Sequence, residues 1–478
     1  MSDVREVRIG PRSLEPYQQF VAPSELAQAR DAGKALNERL AGSSIWNINS
    51  TERGGGVAEM LRSMIAYARG LGVDVRWGVI SGTPEFFRIT KRLHNALHGN
   101  GGDGTPFTGA ERKVYEQIST ENATELMALV RPGDIVIAHD PQTAGLIEPL
   151  TRHGVRVVWR CHIGSDETNL EVTDGWAFLA PYLRKALGYI FTRSTYVPDV
   201  IDRRRVTIIP PSIDPLSAKN QPLSEQAVRA ILRHVGLVES AKDGHAPAFC
   251  REDGTPGRVD RCVDIIRLGR APAYEAPLVV QVSRWDRLKD HVGVLRGFDE
   301  LLRVRDRGEH LVLAGPNVHA VADDPEGAMV FDEVLSVWRA LPHAQRRRVH
   351  LANLPMADVE ENAAIVNALQ RHASVVVQKS LREGFGLTVT EAMWKGVAVI
   401  ASRVGGIQDQ IEDGASGVLV SAPKDIKEFA QALACVLDDE PFAARLGERA
   451  IETVREKYLN LRSLTAYAAA LDSLLSLS

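Results

Sequence analysis

The sequence has little of several features that mark specialised classes of protein. It contains 4 cysteines in 478 residues, and they form no C-x-x-C pair, so neither a disulfide framework nor a zinc site is indicated. No window approaches the run of about 18 uncharged apolar residues that a membrane span needs. With 57 Lys and Arg against 61 Asp and Glu, no basic footprint for nucleic acid is present. Because the N-terminus lacks an apolar leader, we expect a cytoplasmic protein.

The composition that remains is that of a globular protein of two or three domains. Hydrophobic residues make up 44% of the chain and charged residues 25%, which are ordinary proportions. Short runs rich in Val and Ile alternate with amphipathic stretches, a pattern that predicts parallel sheets covered by helices on both faces. The predicted strands include SSIWNINS, VDVRWGVIS, DIVIAH, VRVVWR and GYIFTR, and, from residue 278 onward, PLVVQVSR, HLVLAGP, RVHLANLP, ASVVVQKS, VAVIAS and SGVLVS.

A Pro- and Ser-rich segment, residues 208–222, separates the two series of strands and predicts a junction between two α/β units. Ligands of such sheets bind beyond the carboxyl ends of the strands, so two facing units would form a cleft. Residues 100–110 are glycine-rich and we expect them to be mobile. Residues 239–275 have little periodicity, and the pattern assigns them no role.

The first candidate for chemistry is the run Gly54–Gly56, between a predicted strand and a predicted helix. Three glycines let the backbone approach a ligand closely, and the N-terminus of the helix offers N–H groups to an anion. The alternative is a flexible strand-to-helix turn, since the run is not the G-x-G-x-x-G of dinucleotide-binding folds.

The second candidate is QVSRWDRLKD, directly after the first strand of the second unit. Arg284 and Lys289 supply a planar fork of donors and a compact charge, which suit two adjacent phosphates. The alternative is a solvated loop in which Asp286 and Asp290 neutralise both cations.

The third candidate is REGFGLTVTEAMWKG, after the strand ASVVVQ. Its glycines expose backbone N–H groups, and Glu383 is placed at a strand end where it could accept hydrogens from sugar hydroxyls. Glu391 has a competing interpretation, because Thr388-x-x-Glu391 matches a capping box that opens a helix.

The fourth candidate consists of polar residues at two strand ends of the first unit. His162 follows the strand VRVVWR, and His139 and Asp140 end the strand DIVIAH. A lone histidine is more often structural than catalytic, but a position that faces the expected cleft favours a function for His162. Asp140 could either bind a hydroxyl or cap the next helix.

Together these residues resemble a known family. The order of a glycine loop, R-x4-K and E-x7-E resembles the retaining GT-B glycosyltransferases of family 4. The segments GGGVAEML, RWGVISGTPEFFRITKRLHNALHG, WRCHIG, PPSIDPLSAKN, QVSRWD and REGFGLTVTEAMWKG look like the group of trehalose glycosyltransferring synthases and trehalose phosphorylases. The resemblance implies two facing Rossmann-like domains with the active site in the cleft between them. They are an N-terminal acceptor domain, 1–212, joined by the helix 460–478, and a C-terminal donor domain, 213–459, with an insertion near 239–275.

The resemblance also implies roles for single residues. The catalytic residues would be Glu383, His162, Arg284 and Lys289. The donor would be bound by Gly55, Gly56, Arg284, Lys289, Gly384, Phe385, Gly386, Leu387, Thr388 and Glu391, with Glu391 on the ribose. The acceptor would contact Asp140 and His162. We expect no metal and no tightly bound cofactor, although Mg²⁺ on the free nucleotide could stimulate the reaction.

The implied activity is transfer of glucose from UDP- or ADP-glucose to glucose, which forms trehalose with retention of configuration. The partners are then a nucleotide-sugar donor and a sugar acceptor, with neither nucleic acid nor membrane, and a homodimer is a candidate assembly. The alternatives are a trehalose phosphorylase and a related glucosyltransferase with another acceptor. From other classes, a silent sugar-nucleotide sensor should have lost some of the site residues, and an NAD-dependent dehydrogenase should carry the dinucleotide fingerprint.

Overall fold

A computed structural model of the chain describes residues 4–52, 55–100, 105–241, 244–318 and 325–476. Its contacts divide the chain into two units. The N-terminal unit comprises Met1–Ser212 with Tyr458–Ser478, and the C-terminal unit comprises Ile213–Lys457.

The N-terminal unit is built on a sheet that has seven strands over the described residues, in the order β1-β3-β2-β4-β5-β6-β7. All neighbours are parallel except β1, which runs antiparallel to β3. The strands are β1 (Arg5–Glu6), β2 (Ile45–Asn49), β3 (Val75–Val79), β4 (Ile135–His139), β5 (Arg156–Cys161), β6 (Gly188–Phe191) and β7 (Val206–Ile208). The helices are α1 (Pro23–Leu40), α2 (Gly56–Gly70), α3 (Pro84–Leu97), α4 (Gly109–Leu126), α5 (Ile147–Arg152) and α6 (Leu170–Leu183).

Alternation along β2 shows how this sheet positions polar groups. Trp46 and Ile48 are buried in the main apolar core of the unit. Because successive side chains of a strand point to opposite faces, Asn47 and Asn49 lie on the other face, where they are also buried. Buried amides need hydrogen-bond partners, and they find them in neighbouring strands, as described below.

The C-terminal unit has a second seven-stranded sheet over the described residues, in the order β10-β13-β12-β11-β14-β15-β16. Only β10 is antiparallel to its neighbour in that sheet. The strands are β8 (Ala248–Cys250), β9 (Pro256–Arg258), β10 (Asp264–Ile266), β11 (Leu278–Val282), β12 (His310–Pro316), β13 (Val349–Leu354), β14 (Val375–Gln378), β15 (Val399–Ser402) and β16 (Val418–Val420). The helices are α7 (Glu225–His234), α8 (His291–Val304), α9 (Pro325–Ala340), α10 (His343–Arg346), α11 (Val359–His372), α12 (Leu387–Trp394), α13 (Ile407–Gln410), α14 (Ile426–Asp438) and α15 (Glu440–Lys457).

The last helix, α16 (Asn460–Ser476), belongs to the N-terminal unit and packs against α1 and α2. Its first residue is fully buried: Asn460 accepts a hydrogen bond from Ser212 at 2.7 Å and donates one to Ser63 at 2.7 Å. The preceding helix, α15, ends at Lys457, so Tyr458 and Leu459 separate the last two helices.

The segment 239–275 is more ordered than its irregular pattern suggests. It contains the antiparallel hairpin β8–β9 and the edge strand β10. Arg251 pairs with Asp358 at 2.7 Å and Arg261 pairs with the buried Glu361, so both arginines fasten the segment to the start of α11. Within the glycine-rich segment 100–110, residues 101–104 lie outside the described residues.

The four cysteines are free thiols, as the absence of a pairing pattern predicts. Among the residues described, none of the helices combines the length and apolarity that a membrane span requires.

Candidate active site

The C-terminal unit brings Lys289 and Glu383 together at the carboxyl ends of two neighbouring strands, β11 and β14. Lys289 ends a short 3-10 turn, Arg287–Lys289, and its Nζ donates a hydrogen bond to Glu383 Oε2. Ser380 Oγ donates to the same oxygen at 3.2 Å. The lysine and glutamate side chains are 16% and 12% exposed, so both groups retain contact with solvent. A cation and a carboxylate are thus held at a site that a polar ligand can reach.

Arg284 has a different environment. Its side chain is 56% exposed, and its Nη2 lies 3.1 Å from Asp286 Oδ2. This contact agrees with the alternative of a charged loop, and the binding of phosphate by Arg284 stays a prediction. The alternative is wrong for the second pair, because Asp290 does not neutralise Lys289. Asp290 instead pairs with Lys379, a lysine that the sequence pattern did not single out.

Asp290 fixes the backbone beside Lys289. It adopts a left-handed conformation with φ of 50°, which is uncommon for a residue with a side chain. Its Oδ1 accepts the N–H of Gly293 at 3.0 Å as the N-cap of α8, and its Oδ2 accepts from Lys379, which is 1% exposed. Gln281 Nε2 donates to the carbonyl of Lys289 at 3.0 Å. These contacts offset the backbone strain and hold Lys289 in place.

The glycine turn after Glu383 is held by a neighbouring loop. The carbonyl of Gly384 accepts from the N–H of Gly406 at 3.1 Å, and the carbonyl of the buried Phe385 accepts from Gln410. Gly386 has φ of 88° and is the N-cap of α12, which begins at Leu387. The hydrogen bonds to Gly384 and Phe385 fix the turn that precedes α12. Because the first N–H groups of a helix have no acceptor within the helix, the first turn of α12 supplies N–H groups suited to an anion.

The capping-box interpretation of Glu391 is wrong. The helix begins at Leu387 with Gly386 as its cap, so Thr388 lies inside the helix, and its hydroxyl donates to Gln378 at 3.1 Å. The prediction failed because a left-handed glycine started the helix earlier than the Thr-x-x-Glu pattern indicated.

Glu391 lies instead beside two lysines, the partly buried Lys219 and the buried Lys395. Its side chain is 5% exposed, and Lys219 Nζ is 3.6 Å from its Oε1. Lys395 Nζ donates to the backbone carbonyl of Glu391 at 3.0 Å and to Asn220 at 3.1 Å. Burial lowers the pKa of Lys395 to about 7, while the nearby carboxylate opposes that shift.

The N-terminal unit assembles a second polar cluster at the carboxyl ends of β2, β4 and β5. His139 Nδ1 lies 2.9 Å from His162 Nε2, and His139 Nε2 lies 3.0 Å from Asn47 Oδ1. The backbone N–H of His162 donates to Asp140 Oδ1 at 2.8 Å. Asp140 has φ of 64° and makes no side-chain cap to the helix after it, so the capping alternative for Asp140 is wrong.

The histidines are neutral in this environment. Burial, and then the positive charge of Arg160, lower the pKa of His139 to about 3 and hold the pKa of His162 well below its usual range. Desolvation also raises the pKa of Asp140 to about 6. The Arg160 guanidinium is fully buried 5.8 Å from the centre of the Tyr467 ring, and none of its nitrogens has a hydrogen-bond partner among the described residues.

The glycine loop of the N-terminal unit is described in part. Gly54 lies outside the described residues. Gly55 has φ of 85° and is the N-cap of α2, and Gly56 is the first residue of that helix. A Cβ on Gly55 would meet no atom within 4 Å, so the positive φ, and not crowding, is what requires glycine there. Contact of this loop with a donor or an acceptor stays a prediction.

Three residues of the two clusters, Asn47, Lys379 and Lys219, were missed by sequence reasoning. Asn47 meets His139 from the adjacent strand, and Lys379 pairs with Asp290 across 89 residues of chain. Lys219 stands in the segment PPSIDPLSAKN, which carries part of the family resemblance, so its position was a usable signal. Within the described ranges, no group of three or more His, Cys, Asp or Glu is arranged to hold a metal ion.

Comparison with known proteins identifies the family. A family profile described as the N-terminal domain of trehalose synthase matches residues 47–198, and one described as glycosyl transferases group 1 matches residues 351–453. The chain is 35% identical over 476 residues to a trehalose synthase of Pyrococcus horikoshii, and the match covers 99% of both chains. This chain belongs to the trehalose synthase family.

More distant relatives of the family agree with this assignment. A trehalose phosphorylase of Pleurotus pulmonarius is 27% identical, over 91% of this chain and 57% of its own. A solved UDP-forming α,α-trehalose-phosphate synthase of Burkholderia xenovorans, in complex with glucose-6-phosphate, has a TM-score of 0.66 at 15% identity and covers 90% of this chain and 100% of its own. With the two parallel-sheet units, these matches confirm the GT-B fold and the resemblance to the trehalose synthase and phosphorylase group. The protein is a glycosyltransferase, and its family supports glucosyl transfer related to trehalose.

Proposed function

We propose that the protein transfers glucose from a nucleotide-glucose, UDP- or ADP-glucose, to free glucose and forms α,α-trehalose with retention at the anomeric carbon. The observation that carries the proposal is the pairing of Lys289 with Glu383 beside the N-terminus of α12. Lysine has three N–H donors, of which Glu383 takes one, so the others can bind phosphate oxygens. The N–H groups of the first turn of α12 add neutral donors for the same diphosphate.

The surroundings of Glu391 support a nucleotide donor. A buried carboxylate that does not cap its helix needs another function or a structural partner, and Lys219 Nζ lies 3.6 Å from one oxygen of this one. A charged carboxylate accepts two hydroxyl hydrogens, which suits the diol of a ribose. Inorganic phosphate, the co-substrate of a phosphorylase, has no such diol.

In the N-terminal unit, His162 is the proposed contact to the glucose. Asp140 accepts the backbone N–H of His162 and so orients the segment that carries it. We assign Asp140 this positioning role as well as the acceptor contact that the family resemblance implies.

The proposed reaction is a same-face substitution. The bond from the anomeric carbon to the leaving phosphate oxygen breaks, the bond to the acceptor oxygen forms, and the acceptor's proton moves to the leaving phosphate. Lys289, Arg284 and the loop N–H groups stabilise the charge on that phosphate. These groups allow the step without a bound metal or a tightly held cofactor, and Mg²⁺ would act on the free nucleotide.

A phosphorylase is the second candidate, since trehalose phosphorylases are among the relatives. Phosphate would then lie near Arg284 and Lys289, and the products from trehalose would be glucose and α-glucose 1-phosphate. The exposed guanidinium of Arg284 is accessible to a small anion, which supports this option.

One set of incubations separates the candidates. Purified protein is given UDP-glucose or ADP-glucose with glucose or another sugar acceptor, and in parallel trehalose with inorganic phosphate, each with and without Mg²⁺. The proposal expects a nucleoside diphosphate and a 1,1-linked product, which NMR identifies by its anomeric signals. Glucose 1-phosphate formed only from trehalose and phosphate would favour the phosphorylase. No product in any incubation would contradict both.

A further inference from the structure

Three polar side chains of the N-terminal unit form a continuous row across neighbouring strands. Asn47 on β2, His139 at the end of β4 and His162 just after β5 are 6%, 1% and 8% exposed. The two imidazole rings are nearly parallel, at 11°, and their centres are 5.2 Å apart. The row is therefore buried along its whole length, with His139, its middle member, the least exposed.

The order of hydrogens along this row follows from its first member. Asn47 Oδ1 carries no hydrogen, so the 3.0 Å contact requires an N–H on His139 Nε2. In a neutral imidazole the other nitrogen is then an acceptor, and His139 Nδ1 must receive the hydrogen of His162 Nε2 across 2.9 Å. The remaining nitrogen, His162 Nδ1, is left with its lone pair.

The surroundings of the row keep both rings neutral. Arg160 lies opposite His139 in the register of β4 and β5, and its positive charge opposes protonation of both histidines. Asp140 lies beside His162, but one of its carboxylate oxygens accepts the backbone N–H of His162. Two further titratable groups lie near Arg160, Cys161 beside it on β5 and Tyr467 of α16, and burial raises the pKa of both. The Cys161 thiol donates to the carbonyl of Ile163 at 3.2 Å, so among the described groups near Arg160 neither of these adds a charge to the row.

We propose that Asn47 and His139 are positioning residues, which fix the tautomer of His162 so that its Nδ1 accepts the hydrogen of a sugar hydroxyl. This inference rests on the proposed function, in which His162 contacts glucose. It assigns the N-terminal unit a chemical selectivity, because a fixed acceptor prefers a ligand group that donates hydrogen. A fluorine, which only accepts, gains nothing at such a position.

The first test needs no activity. Heteronuclear NMR of histidine-labelled wild-type protein, with signals assigned from His139→Gln and His162→Gln spectra, reports which ring nitrogen carries hydrogen. We expect hydrogen on Nε2 of both rings from about pH 6 to about pH 8. Hydrogen on His162 Nδ1 would overturn the inference, whether or not the protein makes trehalose. If the tautomer is as expected and the enzyme has no glucosyltransferase activity, only the proposed function fails.

A set of variants tests the positioning role. Asn47→Leu removes the oxygen that accepts the hydrogen of His139 Nε2, and we expect a mixture of His139 and His162 tautomers with a fall of about tenfold in kcat/KM, the loss of about one hydrogen bond. Asn47→Asp retains an oxygen that accepts from His139, so His139 and His162 should keep their wild-type tautomers. Asn49→Leu is the matched control, since Asn49 lies on the same face of β2 but bonds to Trp77 at 2.8 Å. A tautomer unchanged in Asn47→Leu would contradict the proposal.

Sugar analogues give a second, independent readout. Each hydroxyl of glucose is replaced in turn by hydrogen or by fluorine. At the hydroxyl that meets His162 we expect both replacements to cost the wild-type enzyme about the same, and the difference between hydroxyl and fluorine to shrink in His162→Gln. If fluorine keeps the affinity of the hydroxyl at every position, the acceptor role is wrong.

Discussion

Both units place their polar clusters at the carboxyl ends of the parallel strands of similar sheets. The two clusters differ in the charge of their side chains. In the N-terminal unit the row Asn47, His139 and His162 is neutral, and the only buried cation beside it, within the described residues, is Arg160. In the C-terminal unit the cluster consists of ion pairs. They are Lys289 with Glu383, Lys379 with Asp290, and Lys219 with Glu391.

This difference indicates a division of tasks. Partly buried charges interact far more strongly with a phosphate than charges in water do, so the C-terminal cluster suits a diphosphate. Neutral, oriented hydrogen-bond groups suit the hydroxyls of a sugar, which carry no charge. Under the proposed function, the same architecture would serve two kinds of ligand through the choice of side chains at the strand ends.

The largest effect should come from breaking the buried pair beneath the C-terminal cluster. Asp290→Ala leaves Lys379 buried without its carboxylate and removes the cap of α8, so we expect a loss of about 3–5 kcal/mol in the free energy of unfolding. Urea unfolding measures it. Asp425→Ala is the control, because Asp425 caps the exposed start of α14 without a buried partner, and it should cost about 1 kcal/mol. Equal losses in the two variants would contradict the role of the pair.

The next effect concerns catalysis. Lys289→Ala removes the cation closest to Glu383, and we expect kcat to fall by about 10²–10³, as for the loss of one oriented donor to a developing negative charge. Steady-state kinetics with nucleotide-glucose checks this. Arg287→Ala removes a cation two residues away that is 66% exposed and should leave kcat unchanged. Similar losses in both variants would mean that general surface charge, and not the cluster, is responsible.

A smaller effect is expected at Glu391. Lys219→Met removes the cation nearest to the Glu391 carboxylate oxygens among the ion pairs of the described residues, which should weaken a ribose contact. We expect the KM for the nucleotide donor to rise about tenfold with kcat little changed. Lys424→Met, at an exposed position, should have no effect on KM. An unchanged KM in Lys219→Met would show that Glu391 is structural.

The smallest effect is a pH dependence of stability from the neutral row. The pKa of His139 is lowered to about 3, so between its unfolded and folded pKa values the unfolded chain binds the extra proton, and stability falls as the pH drops below about 6.5. The variant His139→Gln lacks this titration. Its free energy of unfolding should therefore depend less steeply on pH, by at most about 1.4 kcal/mol per pH unit.

Calorimetry at neutral and mildly acidic pH measures that slope. Asp140, with its raised pKa of about 6, acts in the opposite direction between pH 6 and its unfolded value, but it is present in both proteins. The other buried histidines are also shared, so the difference between the two slopes reports the His139 site. Identical slopes would mean that His139 is charged in the folded protein.

The strands were predictable because each is a continuous apolar run. HLVLAGP corresponds to β12 residue for residue, and VRVVWR is offset from β5 by one residue. The start of α12 was not predictable, because it depends on which residue adopts the left-handed conformation, and Gly386 does so one step before Leu387. The pattern offered two glycines and a Thr-x-x-Glu, and local composition does not rank them.

The contacts that organise the clusters are long-range. His139 and His162 are 23 residues apart and meet because β4 and β5 are neighbours in the sheet. Lys379 reaches Asp290 because β14 lies next to β11, although the strands β12 and β13 and the helices α8 to α11 lie between those two strands in sequence. Residue types and strand ends could be predicted from the sequence, but their pairing depends on the order of strands, which spacing does not determine.

Calorimetric titration with UDP and ADP tests the division of tasks most directly, because these probes contain the diphosphate without the sugar. The account predicts that Lys289→Ala weakens nucleotide binding by at least about tenfold, whereas His162→Gln leaves it unchanged. Nucleotide affinity that is insensitive to Lys289 but reduced in His162→Gln would contradict it.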